Sequence, residues 1–281
     1  MSELAELIEF LCKKNKIHIC IHDFSGLLSQ EKLHLEFRQK IHSTAYCDMA
    51  KSTPRGYQLC IRCKELANKK AVRERKPFWG ICPNGLLEIV NPVVIDGVVE
   101  GIIYIGNILP EFKQHSVARN RACYITGVQK DELEKLTYLC ESDADIDYYI
   151  RMSEFLKQSI CHMKKEKNSS SRRHRSIIGD IEEYINFHYA QNITLKEMAG
   201  LYFMNEKYLG RLFATETGQS FHQYLNQVRL ERAADLLINT SMPVLNIAFE
   251  CGYSNVTYFN RVFRRKFSVS PTEYRTDARK R

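Results

Sequence analysis

The sequence predicts a mixed α+β domain with an antiparallel sheet, followed by an all-α domain. The sheet is indicated by two β-branched runs, 89–95 and 98–105, that flank Asp96-Gly97, because glycine tolerates the positive φ of a two-residue hairpin turn. The all-α domain is indicated by one pattern of apolar and small residues that occurs twice near the C-terminus, about fifty residues apart. A polar segment rich in Lys, Arg and Ser separates the two parts and is typical of a linker.

The other elements of the first part follow from local patterns. Residues 17–21 alternate as in a half-buried strand, and the turn residues 23–26 come directly after them. Apolar periodicity predicts helices over 30–46, 111–124 and 130–140. Together with the hairpin, these segments predict an α+β domain.

A long helix is predicted over 145–166. Along it, apolar and small residues recur at alternating spacings of three and four, as in a coiled coil: Ile146, Tyr149, Ser153, Leu156, Ile160 and Met163. Two interpretations are open. The stripe is either a seam between two subunits or the face that packs on the sheet of its own domain.

The repeated pattern consists of a short helix, a tight turn and a longer helix. In each copy a small residue, Ala199 or Ala248, lets two helices cross closely. The longer helix is anchored by apolar residues at i and i+4, which are Leu209 and Phe213 in the first copy and Phe259 and Phe263 in the second. This layout is typical of the helix-turn-helix, whose second helix lies in the major groove of DNA. A further helix over 221–238 separates the two copies and fixes their distance.

Composition and charge fit a folded protein that reads DNA sequence. The chain has 281 residues and 44% hydrophobic content, enough for two domains with cores. Its net charge is +8, which is modest for a polyanion-binding protein. The start lacks the basic region of a signal peptide, and the longest apolar run, 97–109, is too short to span a bilayer. We therefore expect a cytoplasmic protein without a membrane partner.

Residues 177–276 resemble the AraC/XylS DNA-binding domain. The resemblance rests on the block from Tyr208 to Gly218, the apolar spacing over 221–238, and the block from Ile247 to Arg275. Ser268 departs from it, because the family usually has glycine at that helix cap. The resemblance implies an AraC-type double helix-turn-helix domain over 177–281 that binds double-stranded DNA and works with RNA polymerase.

The N-terminal part resembles the PocR ligand-binding domain, described as a PAS-like sensor of small hydrocarbon derivatives. The matching features are Asp23-Phe-Ser-Gly26, Cys47, Pro54, Cys60-x2-Cys63, Cys82-x2-Gly85-Leu86, Pro92 and Gly101-x4-Gly106. After Cys82 the chain has Pro-Asn-Gly, where the family often has His-Ala-Gly. The resemblance implies a PAS-like α+β sensor domain over 1–163 and a small-molecule effector. From the polar composition we expect a linker over 164–176, and we also expect a homodimer.

The second helix of each copy carries side chains suited to reading DNA on the face opposite its apolar anchors. They are Lys207, Gly210 and Arg211 in the first copy, and Val256, Thr257, Asn260 and Arg261 in the second. Arginine reads guanine, asparagine reads adenine, and a threonine methyl meets thymine. Arg264 and Arg265 extend past the base-reading turn and are expected at phosphates. A solvated charged face is the ordinary alternative for all of these residues.

Four of the ten cysteines differ from the rest. Cys47, Cys60, Cys63 and Cys82 could supply four thiolates to a zinc ion or an iron–sulfur cluster. The alternative is that they are core or redox thiols. The other N-terminal cysteines are predicted to be buried small hydrophobes: Cys12, Cys20, Cys123, Cys140 and Cys161.

Three further residues are candidates for lining a ligand cavity, with ordinary core packing as the alternative. They are His22, Phe78 and Trp79. A concave sheet face in a PAS-like domain is where a ligand would bind.

Two classes of function are weighed: a ligand-responsive transcriptional regulator, and a thiol oxidoreductase that uses Cys60 and Cys63. Redox Cys-x-x-Cys pairs begin at a strand-to-helix junction, whereas this pair lies within a helical stretch. The sequence also has no Gly-rich phosphate loop and no Ser/His/Asp set. We therefore predict a regulator that is not an enzyme. The alternative is a regulator whose first domain senses redox state or metal, or binds a protein partner.

Overall fold

The computed structural model describes residues 1–142, 145–164 and 170–278. The chain divides into two compact units, Met1–Gly179 with Gly200–Met204, and Asp180–Ala199 with Asn205–Arg281. Part of the predicted linker, 165–169, lies outside the described residues, and a helix already begins at Ser170. Within the described ranges, no helix is both long enough and apolar enough to cross a membrane.

The first unit combines one sheet with helices. Its helices are α1 (Glu3–Asn15), α2 (Ala45–Ala50), α3 (Pro54–Glu74), α4 (Phe112–Thr126), α5 (Lys130–Lys135) and α6 (Ile146–Met163). Its strands are β1 (His18–Asp23), β2 (Phe78–Ile81), β3 (Leu87–Ile95) and β4 (Val98–Ile108). All neighbouring strands are antiparallel, in the order β1-β4-β3-β2. The predicted α+β class with an antiparallel sheet is confirmed.

The predicted hairpin is the centre of this sheet. Asp96 and Gly97 connect β3 to β4 with φ angles of 51° and 77°, and Ile95 pairs with Val98 across the turn. Two consecutive positive φ values are what a tight hairpin turn requires, since they match the twist of the flanking strands.

The long helix α6 covers one face of its own sheet. Leu156 and Ile160 are fully buried in one cluster with side chains from α1, β1, β3 and β4. The polar member of the stripe, Ser153, accepts a hydrogen bond at its Oγ from Asn91 Nδ2 on β3, at 3.0 Å. The interpretation of this stripe as a seam between subunits is therefore wrong, because the sheet already buries it.

The predicted helix over 30–46 is also wrong. Between β1 and α2 the chain forms three short 3-10 turns instead, Leu27–Ser29, Glu31–Leu33 and Phe37–Gln39, and the last two lie in the predicted range. The buried Asp23 carboxylate accepts hydrogen bonds from the N–H groups of Ser25 and Leu28, at 2.9 and 2.8 Å. Such side-chain-to-backbone bonds favour turns over helices.

The C-terminal part is entirely helical among its described residues, so the all-α prediction is confirmed. Its helices are α7 (Ser170–His188), α8 (Leu195–Leu201), α9 (Glu206–Thr217), α10 (Phe221–Asn239), α11 (Val244–Glu250), α12 (Val256–Phe267) and α13 (Pro271–Ala278). The central helix α10 packs against both α9 and α12. Phe213 on α9 lies 5.6 Å from Phe221, ring centre to ring centre, and Leu237 shares a core cluster with Phe263.

Candidate nucleic-acid interface and buried cavity

Two helix-turn-helix pairs, α8–α9 and α11–α12, have the same local construction. The second helix of each begins at an asparagine whose side chain accepts a hydrogen bond from a tyrosine N–H. Asn205 Oδ1 lies 3.2 Å from Tyr208 N, and Asn255 Oδ1 lies 2.9 Å from Tyr258 N. Asparagine is among the preferred N-cap residues because it satisfies an otherwise unpaired helix donor.

Both second helices also end alike, in the left-handed conformation. Gly218 closes α9 with φ 74°, and its N–H bonds to Ala214 O at 3.0 Å. Ser268 closes α12 with φ 66°, and its N–H bonds to Arg264 O at 2.8 Å. Ser268 therefore takes the glycine-type cap position that the sequence predicts for it.

Buried apolar residues fix which face of each second helix is free. Leu209 and Phe213 on α9, and Phe259 and Phe263 on α12, have no exposed surface. Seven of the nine residues predicted to contact DNA are exposed, namely Lys207, Arg211, Thr257, Asn260, Arg261, Arg264 and Arg265. Each second helix therefore presents an arginine-bearing polar face opposite its core anchors.

Gly210 and Val256 do not share that open face. A side chain at Gly210 would meet Leu195 Cδ2 of α8 at 3.0 Å, so this glycine lies at a close approach between two helices. Val256 is half-buried and packs against the apolar cluster of α10 to α12. The prediction that both residues face outward is therefore wrong. Helix α8 lies against Gly210, and Val256, in the first turn of α12, packs into the core.

Not every cation of the C-terminal part is free for DNA. The half-buried Arg229 donates to the carbonyl oxygens of Tyr189 and Gln191, at 2.7 and 2.9 Å. Arg275 donates to Met242 O at 2.6 Å. These two arginines tie helices together, whereas Arg261 stacks over the ring of Tyr258, 5.3 Å from its centre, and stays exposed. Such stacking restrains the guanidinium before any contact with DNA.

The first unit contains a small buried cavity around which the four predicted cysteines converge. Its lining includes His42, Tyr46, Cys47, Cys60, Cys63, Lys64, Cys82 and Glu88. Cys60 and Cys63 lie one turn apart on α3, as predicted. The volume of the cavity that is accessible to water is about 20 Å³. This is room for little more than one water molecule.

The four thiols do not form a compact ligand set. In the described part of the chain, one group of three or more metal-ligating side chains has its ligand atoms within 4.8 Å of one another, and it consists of Cys20, His22 and His42. The structure thus places Cys47, Cys60, Cys63 and Cys82 around one cavity but not at metal-binding distances. Metal binding by these four stays a prediction.

A buried ion pair lies beside the thiols. Lys64 Nζ donates to both carboxylate oxygens of Glu88 at 3.0 Å, and His42 Nδ1 lies 3.0 Å from Glu88 Oε1. Burial alone would raise the pKa of Glu88, but the adjacent Lys64 and His42 hold it well below its usual range. Burial is the main cause that lowers the pKa of His42 to about 3, so its ring is neutral at neutral pH.

The thiols that line the cavity are held protonated. Burial raises the pKa of Cys47 to about 11 and that of Cys63 to about 12. It also raises the pKa of Cys60 and of Cys82. Reactive cysteines have lowered pKa values and partial exposure, so this environment disfavours a thiol oxidoreductase.

A larger groove lies on the other side of the segment that carries Cys82 and Pro83. It runs between α3 and α4, has a volume of about 720 Å³, and has mostly apolar walls formed by residues such as Leu59, Val117 and Ile125. Lys113 and Arg121 add two cations to its lining. The groove, unlike the cavity, has room for a small organic molecule.

The three residues proposed to line a ligand cavity line neither of these spaces. His22 packs against His42 and Tyr104, with ring centres 5.7 and 4.9 Å away. Phe78 packs against the core under α3, and Trp79 is half-exposed on the opposite face of β2. Of the cysteines predicted to be buried, Cys12 is half-buried, and Cys161 is exposed because α6 turns that position away from the sheet.

Sequence reasoning did not single out His42, Lys64 or Glu88. One signal was present: Glu88 is the one charged residue of β3 and lies between Leu87 and Ile89. A second was the alternation of His18, Cys20 and His22 along β1, which places all three side chains on one face of the sheet.

Comparisons with known proteins agree with this geometry. A helix-turn-helix domain model matches residues 198–277, and a model described as the sensory domain found in PocR matches residues 2–141. The regulatory protein SoxS of Salmonella typhimurium is 37% identical over 102 residues, which cover 36% of this chain and 95% of SoxS.

Two further relatives match different shares of the chain. The regulatory protein PocR of Salmonella typhimurium is 22% identical over 259 residues, which cover 85% of this chain and 84% of that protein. The transcriptional activator RhaR of Mannheimia succiniciproducens is 53% identical over 66 residues. That last match spans 24% of the length of each of the two proteins.

Proposed function

Because the chain belongs to the AraC family of helix-turn-helix regulators and also carries a PocR-type sensory domain, we propose that it regulates transcription in response to a small molecule. DNA binding is assigned to the free faces of α9 and α12, and effector binding to the first unit. The observation that carries the proposal is the matched pair of second helices. Both start at an asparagine cap, are anchored by buried apolar residues and expose an arginine at the same place, Arg211 and Arg261.

The DNA assignment is tested by removing these two arginines. Arg211→Ala and Arg261→Ala should each lower specific affinity by ~1–3 kcal/mol, because each loses one base or phosphate contact. The matched control is Arg151→Ala, which removes an exposed arginine from α6 in the other unit. Unchanged footprints for both arginine variants would refute the groove assignment.

The distance between α9 and α12 predicts the spacing of the two DNA segments that they contact. Since α10 packs against both α9 and α12, their distance is set by one rigid helix. Consecutive major grooves recur every ~34–36 Å, so one subunit should protect two groove segments about one turn apart. Inserting five base pairs between those segments should abolish binding. Binding that tolerates the insertion would mean that the two copies move independently.

For the effector, the groove between α3 and α4 is the better candidate site. Its volume of about 720 Å³ accepts a small molecule, whereas the cavity beside Glu88 has room for about one water. Small diols, aldehydes and aromatic metabolites should be screened by thermal shift of the full chain. Ala118→Trp, which fills the groove, should abolish the shift produced by a ligand of the unmodified protein. An unchanged shift in that variant would place the effector elsewhere.

The organisation of the whole protein follows from the same proposal. We assign residues 1–163 to the sensor, 164–176 to the connection and 177–281 to DNA binding. The protein would act in the cytoplasm as a homodimer that contacts RNA polymerase, and it would not be an enzyme. Because the sheet buries the α6 stripe, the dimer would use another surface. Analytical ultracentrifugation of the full chain tests the dimer, and a monomer at micromolar concentration would refute it.

A second candidate role for the first unit is metal or redox sensing by the four cavity cysteines, through zinc or an iron–sulfur cluster. The observation in its favour is that all four line one cavity. Elemental analysis and absorption spectra of anaerobically purified protein, compared with the Cys60→Ser/Cys63→Ser variant, test it. Equal metal content and equal spectra in the two proteins would refute it.

A further inference from the structure

Three side chains from two separate segments meet on the face of the sheet below α3. Cys20 and His22 alternate along β1 and therefore point to the same side. His42 comes from the loop that precedes α2. One ligand atom of each of the three lies within 4.8 Å of the other two.

The histidine from the loop has one ring nitrogen that lacks a partner. Its Nδ1 bonds to Glu88 Oε1 at 3.0 Å, whereas its Nε2 is buried and makes no hydrogen bond among the described residues. An unsatisfied buried polar atom costs free energy and calls for an explanation. A histidine that donates one N–H to a carboxylate is also the usual arrangement of a metal ligand, because that bond fixes the tautomer and orients the other nitrogen.

We propose that Cys20, His22 and Nε2 of His42 bind one divalent metal ion of the zinc class. Three atoms no farther than 4.8 Å apart share a centre within about 2.8 Å of each, and zinc–nitrogen and zinc–sulfur bonds are ~2.0–2.3 Å long. Side-chain movements below an ångström would therefore close the site. One sulfur and two imidazole nitrogens suit a borderline-soft ion and leave a fourth position for water or another ligand.

The surroundings supply the outer contacts that such a site requires. Asn68 forms a side-chain hydrogen bond with His22, which leaves one nitrogen of that ring for a metal. The ring of Tyr104 lies against both histidines, with centres 4.9 and 4.8 Å away. Lys64 is the unfavourable neighbour, but Glu88 neutralises its ammonium at 3.0 Å. On binding, the Cys20 thiol loses its proton to solvent, so the bound ion and its thiolate add one net positive charge.

This site shares no residue with the four-cysteine set and does not depend on DNA binding. His42 lines the small cavity as well, so metal at this site would alter the polarity of that cavity. A metal-loaded protein therefore has a first unit whose α2, β1 and β3 segments are tied together through one ion and Glu88.

X-ray absorption of the 281-residue chain loaded with Zn²⁺ alone provides a test without mutation. One sulfur and two imidazole nitrogens in the first coordination shell are expected, at the ~2.0–2.3 Å typical of zinc. Four sulfurs would assign the metal to Cys47, Cys60, Cys63 and Cys82 and overturn the proposal. Failure to retain about one Zn²⁺ per chain after dialysis would overturn it as well.

Variants add a second, independent test. Cys20→Ser and His42→Gln should each weaken Zn²⁺ binding at least about tenfold, the range seen when metal-site residues are lost. With Co²⁺ as the probe, Cys20→Ser should also remove the thiolate-to-cobalt charge-transfer band. The controls Cys161→Ser and Cys60→Ser/Cys63→Ser should keep both binding and band. Binding lost in the double variant but kept in Cys20→Ser would overturn the assignment.

Discussion

Replacing Ser268 by glycine should stabilise the C-terminal part of the protein. Ser268 closes α12 with φ 66°, a backbone conformation in which any Cβ is crowded. Its counterpart fifty residues earlier, Gly218, has φ 74° in the same position at the end of α9. The first copy of the repeat therefore serves as an internal comparison, because glycine occupies the equivalent cap there.

The size of the effect follows from two opposing terms. A non-glycine residue in the left-handed region destabilises the folded state by ~1–2 kcal/mol, and glycine removes this cost. Glycine also makes the unfolded chain more flexible, which opposes the gain by ~0.4–1 kcal/mol. The net gain in the free energy of unfolding is about 0.5–1 kcal/mol. For a domain of 60–100 residues, where 1 kcal/mol shifts Tm by ~4–8 °C, the expected rise is about 2–8 °C.

Differential scanning calorimetry of the full chain measures this change. Gly218→Ser is the matched control, because a Cβ there would meet no atom within 4 Å and the effect comes from the backbone alone. It should lower the same transition by a similar amount. Both variants should keep wild-type DNA affinity, because the caps lie beyond the polar faces of α9 and α12. A lower Tm for Ser268→Gly, or no change in either variant, would refute the reasoning.

Three further results are expected. Asn205→Ala and Asn255→Ala should each cost ~1 kcal/mol in urea unfolding, as lost N-caps do, and no change would contradict the capping role. Lys64→Met should cost ~3–5 kcal/mol by the same assay, because Glu88 is left as an unpaired buried charge; a loss below 1 kcal/mol would contradict that. Among the ten cysteines, Cys161 is the exposed one, so mass spectrometry should find it alkylated first, and earlier labelling of another would contradict the structure.

The parts of the fold that were predictable from sequence are those with strong local signals. The hairpin was predicted because Asp96 and Gly97 are among the few residues that accept positive φ at neighbouring positions. The two helix-turn-helix pairs were predicted because their small and apolar residues recur at helical spacing in two copies. In both cases residues close in the chain determine the local geometry.

The segment 30–46 was mispredicted because contacts from other parts of the chain bind its backbone. Its apolar residues resemble a helix face, but His18 Nε2 lies 2.8 Å from Ile41 O, and Lys51 Nζ donates to His42 O. Side-chain bonds to the backbone compete with helical hydrogen bonds. Since β1 and the end of α2 supply these side chains, the local pattern carried no sign of them.

The candidate sites divide in the same way. The exposed arginines of α9 and α12 were predictable because helical periodicity separates the buried face from the free one. The group formed by His42, Lys64 and Glu88 joins a loop, a helix and a strand. The periodicity of one element does not predict contacts between different elements. Only the three-dimensional structure therefore shows that the Glu88 carboxylate contacts both the Lys64 ammonium and the His42 imidazole.

The stripe on α6 shows where helical periodicity alone becomes ambiguous. A spacing of three and four residues reports that one side of a helix is buried, and a partner helix or a sheet buries that side equally well. The decisive contact involves the polar member of the stripe, because Ser153 meets Asn91 of β3 at 3.0 Å. Asn91 is fully buried in the middle of an apolar strand, where an amide needs a hydrogen-bonding partner. Ser153, the polar member of the apolar stripe on α6, and Asn91, within the mostly apolar β3, are therefore two residues of the sequence that indicate which faces pack together.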